Sequence, residues 1–133
     1  MGRRQVKLLL DTCTVLWAVL SPAALSPRAQ QLIADPENTL FVSAATAWEI
    51  ATKVRLGKLP GAEQFESNYA EVLGQAGYTP LAIEAEAALR AGRLTAAHRD
   101  PFDRILAAQA LGLDIQVLTP DIQFDSLGVR RVW

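Results

Sequence analysis

Cysteine and histidine are almost missing from this chain: Cys13 and His98 are the single examples of each. A lone cysteine cannot close an internal disulfide, and one Cys with one His falls short of the three or four soft ligands a zinc site takes. Both absences suit a reducing cytoplasm, the expected location. Net charge is nearly missing too. A formal charge of −1 removes the strongly basic balance that marks many polyanion binders, so any such site must be local. No stretch approaches the roughly 20 apolar residues that span a bilayer, and no repeat or low-complexity tract is visible. Arg3, Arg4 and Lys7 ahead of an apolar run imitate a secretory leader, but Asp11, Thr12 and Thr14 break that run and no small-residue cleavage site follows. The expectation is a soluble protein with no membrane association.

What is present suits one compact domain over residues 1–133. The chain is 50% hydrophobic and 20% charged, the balance of an ordinary globular protein, and its length suffices to enclose one core. Residues 6–10 form a short aliphatic run that stops at Asp11, as a buried parallel strand would. Thr12 or Thr14 can cap a helix over residues 15–20. Ser26 and Pro27 open a second helix to about residue 34; residues 40–42 read as a strand; Ser43 caps a helix over residues 44–56 that stops at Gly57. A helix over residues 61–76 closed by Gly77, a brief segment at 78–81 and a helix over 83–94 follow. Asp100-Pro101-Phe102-Asp103 has the form of a helix start, with Asp100 as cap, and the helix runs to about residue 111. Residues 115–118 and 129–132 complete the strands. Strands alternating with helices imply a central, mainly parallel sheet of four to five strands with helices on both faces, and ligands of such sheets bind beyond the strands' carboxyl ends.

Four acids stand out against that pattern. Asp11 and Asp121 each follow an aliphatic strand, so both face one crevice if the strands are neighbours, although either could merely cap a helix or open a turn. Asp103 starts a helix whose next positions on the same face are Leu106, Ala107 and Ala110, so its carboxylate begins over an apolar stripe, where a lone charge is costly. Glu49 lies among small and apolar neighbours in Ala47-Trp48-Glu49-Ile50-Ala51, its plain alternative being a helical pair with Lys53. Carboxylates brought within about 4 Å repel by on the order of 4 kcal/mol per pair at an effective dielectric near 20. A divalent cation removes that penalty, and oxygen-only ligands favour Mg²⁺ or Mn²⁺ over zinc. Thr12 or Thr119 could hold a water or phosphate there. Trp17, Trp48 and Phe102 sit in apolar patterns and are expected in the core or an interface.

Three segments together resemble the PIN-domain ribonucleases of the VapC toxin type: Leu8-Leu9-Leu10-Asp11-Thr12; Trp48-Glu49-Ile50-Ala51-Thr52-Lys53 with Leu56-Gly57-Lys58-Leu59; and Asp100-Pro101-Phe102-Asp103-Arg104 with Leu118-Thr119-Pro120-Asp121. That resemblance implies endonucleolytic RNA cleavage by a toxin and an acidic quartet of Asp11, Glu49, Asp103 and Asp121 binding Mg²⁺ or Mn²⁺. It also implies a small cognate antitoxin and a homodimer. Cys13 and Pro120 depart from the residues usual at those positions, and neither removes a ligand. Lys53, Arg55, Arg99 and Arg104 are the candidate contacts to the RNA backbone, the alternative for each being a solvated helix face. Two rivals are a non-catalytic binding module of the same fold and another Mg²⁺-dependent phosphohydrolase; an aspartyl phosphatase would need a second Asp where Cys13 stands.

Overall fold

Leu8, Leu9 and Leu10 are all buried because the strand they form has protein on both of its faces. In the computed structural model, which describes residues 5–133, β1 (Lys7–Leu10) is the middle strand of five. Arg3 and Arg4, read above as part of a leader-like start, lie outside the described residues. Leu8 and Leu10 point into one core with Val15, Leu40, Val42 and Ile50. Leu9 points into the other with Leu106, Ala107, Ala110, Val117 and Phe124. This period-two alternation shows as uninterrupted apolar sequence only because neither face meets water; each such leucine contributes roughly 1.5–3 kcal/mol on burial.

The sheet order is β3 (Thr79–Leu81), β2 (Thr39–Ser43), β1, β4 (Gln116–Leu118) and β5 (Arg131–Val132), and every pairing is parallel. Leu10 is level with Val42 on one side and Leu118 on the other, so three strands end together. The chain builds outward from β1 in one direction and then returns to add β4 and β5 on the other side. The carboxyl end of β1 beside β4 is therefore the point where the winding reverses.

The helices are α1 (Thr12–Leu20), α2 (Pro27–Ala34), α3 (Ala44–Arg55), α4 (Glu63–Ser67), α5 (Tyr69–Ala76), α6 (Ala85–Arg93) and α7 (Pro101–Leu113). Ser26, Ser43 and Asp100 cap α2, α3 and α7 as their sequence positions indicate. Three expectations change. The cap of α1 is Asp11, whose Oδ1 accepts from the Thr14 backbone N–H at 2.9 Å. The Thr12 and Thr14 hydroxyls are used elsewhere, on Thr46 Oγ1 and the Leu118 carbonyl. The single helix expected over residues 61–76 is two, broken at Asn68, where Asn68 Nδ2 and Ser67 Oγ bond the carbonyls of Gln64 and Glu63 and compete with the helical ladder. The last strand shortens to two residues, after a 3₁₀ turn over Ile122–Leu127 that Asp121 caps. Among the described residues no helix is long and apolar enough to cross a membrane.

Candidate functional site

A cavity of about 380 Å³ opens at the reversal point, and Asp11, Glu49, Asp100, Asp103 and Asp121 all line it, with Thr12, Cys13, Leu16, Trp17, Lys53 and Leu59. Each acid arrives from a different local cause. Asp11 is the first residue after the central strand, is only 4% exposed, and its Oδ2 accepts from the Thr119 hydroxyl at 2.6 Å. Asp121 comes from the turn after β4, where its backbone N–H donates to Thr119 Oγ1 at 3.0 Å. Thr119 itself is fully buried and outside the cavity lining. Its hydroxyl is spent on holding these two acids side by side, so it is a support for them rather than the water or phosphate ligand expected from the sequence.

Glu49 reaches the cavity from the middle of α3 and is 5% exposed. Its Oε2 meets Lys53 Nζ at 2.5 Å, which is the helical pair considered from sequence, yet both residues face the cavity. Glu49 Oε1 is buried with no hydrogen-bond partner. Asp103 reaches in from the first turn of α7, its Oδ2 2.9 Å from His98 Nε2.

The electrostatics follow from burial. Desolvation raises the Asp11 pKa above 3.8 despite hydrogen bonds from Thr119 and Thr14 that work the other way, and the Asp121 charge adds to the rise. Desolvation pushes Asp103 up to about 6; the His98 hydrogen bond opposes this, and the Asp100 and Glu49 charges add to it. Burial, then Asp11 and Asp121, push the Cys13 thiol to about 12, so it is no nucleophile at neutral pH. Burial works against the Lys53 ammonium, but the hydrogen bond and charge of Glu49, with Asp100 and Asp103, outweigh it and raise the Lys53 pKa.

These donors could hold a hard divalent cation. They are all oxygens, one buried carboxylate oxygen lacks any partner, and Asp11 carries a desolvation cost that a cation would offset. Among the described residues no three Cys, His, Asp or Glu side chains stand in a ready-made metal-holding group; Lys53 is the cation among them. The Thr119 hydroxyl is the bond most open to test within the cluster. Thr119→Val is expected to lower unfolding free energy by about 1–3 kcal/mol and Thr119→Ser to restore most of it, read from urea midpoints. Equal midpoints for Thr119→Val and wild type would show that the hydroxyl holds nothing.

Of the remaining sequence candidates, Thr12 lines the cavity with its hydroxyl 3.2 Å from Thr46 Oγ1. Arg55 and Arg99 are exposed, free of the cavity wall. Arg104 is turned inward: Nη1 bonds the carbonyls of Ala96 and His98, and Nη2 those of Ala91 and Leu94. With its guanidinium engaged in this way, it is unsuited to the backbone contact expected of it. Trp48 is 54% exposed and so outside the core, its ring 4.5 Å edge-to-face from Phe102. Trp17 packs on the core and against Trp133. Sequence reasoning missed Asp100 as a cavity residue and His98 as the partner of Asp103. For Asp100 a signal existed, since a cap three residues before Asp103 shares its helix end.

A five-stranded parallel α/β sheet that delivers acids from several separate segments into one cavity at its winding reversal defines the class of this protein. The PIN domain family matches residues 8–129, and the chain belongs to it. A 53-residue stretch is 40% identical to Ribonuclease VapC16 of Mycobacterium tuberculosis (strain ATCC 25618 / H37Rv), covering 40% of this chain and 38% of that relative's length. The fold is similar to VapBC2 from Rickettsia felis, solved bound to a DNA fragment from their promoter, with TM-score 0.71, 17% identity and coverage of 96% and 98% of the two chains. It is also similar to FitAcB from Neisseria gonorrhoeae, with TM-score 0.64, 21% identity and coverage of 95% and 96%.

Proposed function

We propose that this chain is an endoribonuclease toxin that hydrolyses RNA phosphodiester bonds with Mg²⁺ or Mn²⁺ held by Asp11, Glu49, Asp103 and Asp121. The observation that carries this reading is the single cavity lined by all four acids in a PIN-domain chain. The partial likeness to a protein named as a ribonuclease supports the substrate class.

The residues divide the work. Asp11, Glu49, Asp103 and Asp121 would hold the divalent ion, whose chemistry when bound would be to activate water and neutralise charge on the phosphodiester. Asp11, locked by Thr119 and Thr14, gives a carboxylate of fixed direction. Glu49 has a buried Oε1 without a hydrogen-bond partner, while its Oε2 holds Lys53, which also lines the cavity. The Lys53 ammonium is then the cation already beside the acids, suited to a phosphate oxygen of the substrate. Arg55 and Arg99, both exposed, remain the candidates for contact with the RNA backbone; Arg104 leaves that set. Leu16, Trp17 and Leu59 form the apolar part of the cavity lining.

The shared fold with VapBC2 and FitAcB supports a small antitoxin as partner, and the exposed Leu89, Leu111 and Leu113 of α6 and α7 offer apolar surface for protein contact, including a second copy of this chain. Purified protein is expected to cleave RNA with added Mg²⁺ or Mn²⁺, to stop in EDTA, and to recover on readdition. Cleavage undiminished by EDTA would point to another mechanism. Expression is expected to arrest growth unless the antitoxin is co-expressed, and harmless expression of active enzyme would remove the toxin role.

A further inference from the structure

The strongest geometry outside the acids themselves belongs to Arg104, whose two terminal nitrogens make four hydrogen bonds, all to backbone carbonyls. Nη2 bonds Ala91 and Leu94 at the carboxyl end of α6, and Nη1 bonds Ala96 and His98 in the segment that leads to α7. The last carbonyls of a helix have no partner within it, and that end of the helix is its negative pole, so a guanidinium is favoured there on both counts. The fork geometry of arginine lets one side chain serve four acceptors, which a lysine cannot match.

Position decides what this clamp does. Arg104 follows Asp103 on the first turn of α7, and one of its four acceptors is the carbonyl of His98. The His98 side chain in turn lies 2.9 Å from Asp103 Oδ2. Asp100, two residues beyond His98, caps α7 by accepting from the backbone N–H groups of Phe102 and Asp103. The guanidinium therefore fixes the path of residues 91–98 against the same helix turn that carries Asp103. The residues between α6 and α7 have no helix or strand of their own to hold that path.

We infer that Arg104 is a positioning residue for the acid cavity: it clamps residues 91–98 so that His98 docks on Asp103 and sets the direction of that carboxylate. This rests on the proposed role of Asp103 as a metal ligand for its consequence in binding, but the clamp itself does not. Groups that orient a ligand carboxylate or imidazole typically change metal affinity about 10–100-fold when removed.

The test uses the full chain with Arg104→Met, Arg104→Lys, His98→Gln and the Arg104→Met/His98→Gln double variant. His98 is the sole histidine, so the ring spectrum of ¹⁵N-histidine-labelled protein in EDTA reports its bond to Asp103 without assignment. Mn²⁺ affinity is measured separately by titration of the folded variants. Arg104→Met is expected to lose the hydrogen-bonded ring signature and to bind Mn²⁺ about tenfold or more weakly, with Arg104→Lys between it and wild type. His98→Gln is expected to weaken binding alone but to add little in the double variant, because both changes release the same contact. A scaffold role alone would lower thermal stability and leave the ring signature and the Mn²⁺ affinity of folded protein unchanged; that result overturns the inference. If Arg104→Met fails to fold, Arg104→Lys carries the same two readouts. Should wild type not bind Mn²⁺ while the ring signature still depends on Arg104, the clamp stands and the metal reading fails.

Discussion

Asp11→Asn is expected to reduce RNA cleavage by at least about a hundredfold, the scale on which fixed charge stabilisation is lost when one well-placed group is removed. The fold should survive. Asparagine keeps an Oδ1 that can accept from the Thr14 backbone N–H, so the cap of α1 is retained. It also removes a charge whose burial is costly in the metal-free chain. The measurement is the cleavage rate at saturating Mg²⁺ beside far-ultraviolet circular dichroism. A folded variant with wild-type rate would remove Asp11 from the chemistry.

Asp103→Asn is expected to lose cleavage to a similar extent and, in EDTA, to become more stable than wild type. The sign follows from Asp103, whose ordinary pKa of 3.8 rises to about 6 in the fold. The folded chain thus binds the proton more tightly than the unfolded one. This contribution to stability is fully present below about 3.8 and is lost as pH rises through about 6. At about pH 7.5 the wild-type carboxylate is charged and disfavoured by burial and by Asp100 and Glu49, and the asparagine is not. The variant's advantage there is on the order of 1 kcal/mol once partial solvent screening is allowed for, and it vanishes near pH 4. Urea midpoints in EDTA at the two pH values check this. A variant weaker than wild type at both would mean that the His98 contact outweighs the desolvation and repulsion.

Much of the architecture was legible because its signals are local. Leu8 to Leu10 followed by Asp11 announces a doubly buried strand and its end. Ser26-Pro27, Ser43 and Asp100-Pro101 announce helix starts, and each cap is made in the structure. The cavity acids were legible for a related reason: Asp11 and Asp121 follow strands that prove adjacent, Glu49 stands among small and apolar sequence neighbours, and Asp103 starts a helix face that continues with Leu106, Ala107 and Ala110. What was missed depends on the path of the chain. Asn68 breaks a helix through side-chain bonds that no periodicity encodes. Of the core or interface expected for Trp48, the core is excluded, because Glu49 and Ile50 take the inward directions of α3 and leave the indole outside. His98 meets Asp103, and Arg104 turns away from solvent, only because residues 94–100 fold back over the first turn of α7.

Everything functional depends on whether one cation is gripped by side chains from β1, α3, α7 and the turn after β4. Anomalous scattering from crystals soaked in Mn²⁺ addresses this directly. The expected result is a peak in the cavity within roughly 2.0–2.6 Å of carboxylate oxygens from at least two of Asp11, Glu49, Asp103 and Asp121, with Glu49 Oε1 turned toward it. A cavity without a peak at saturating Mn²⁺, with Lys53 still the sole cation on Glu49, would contradict it.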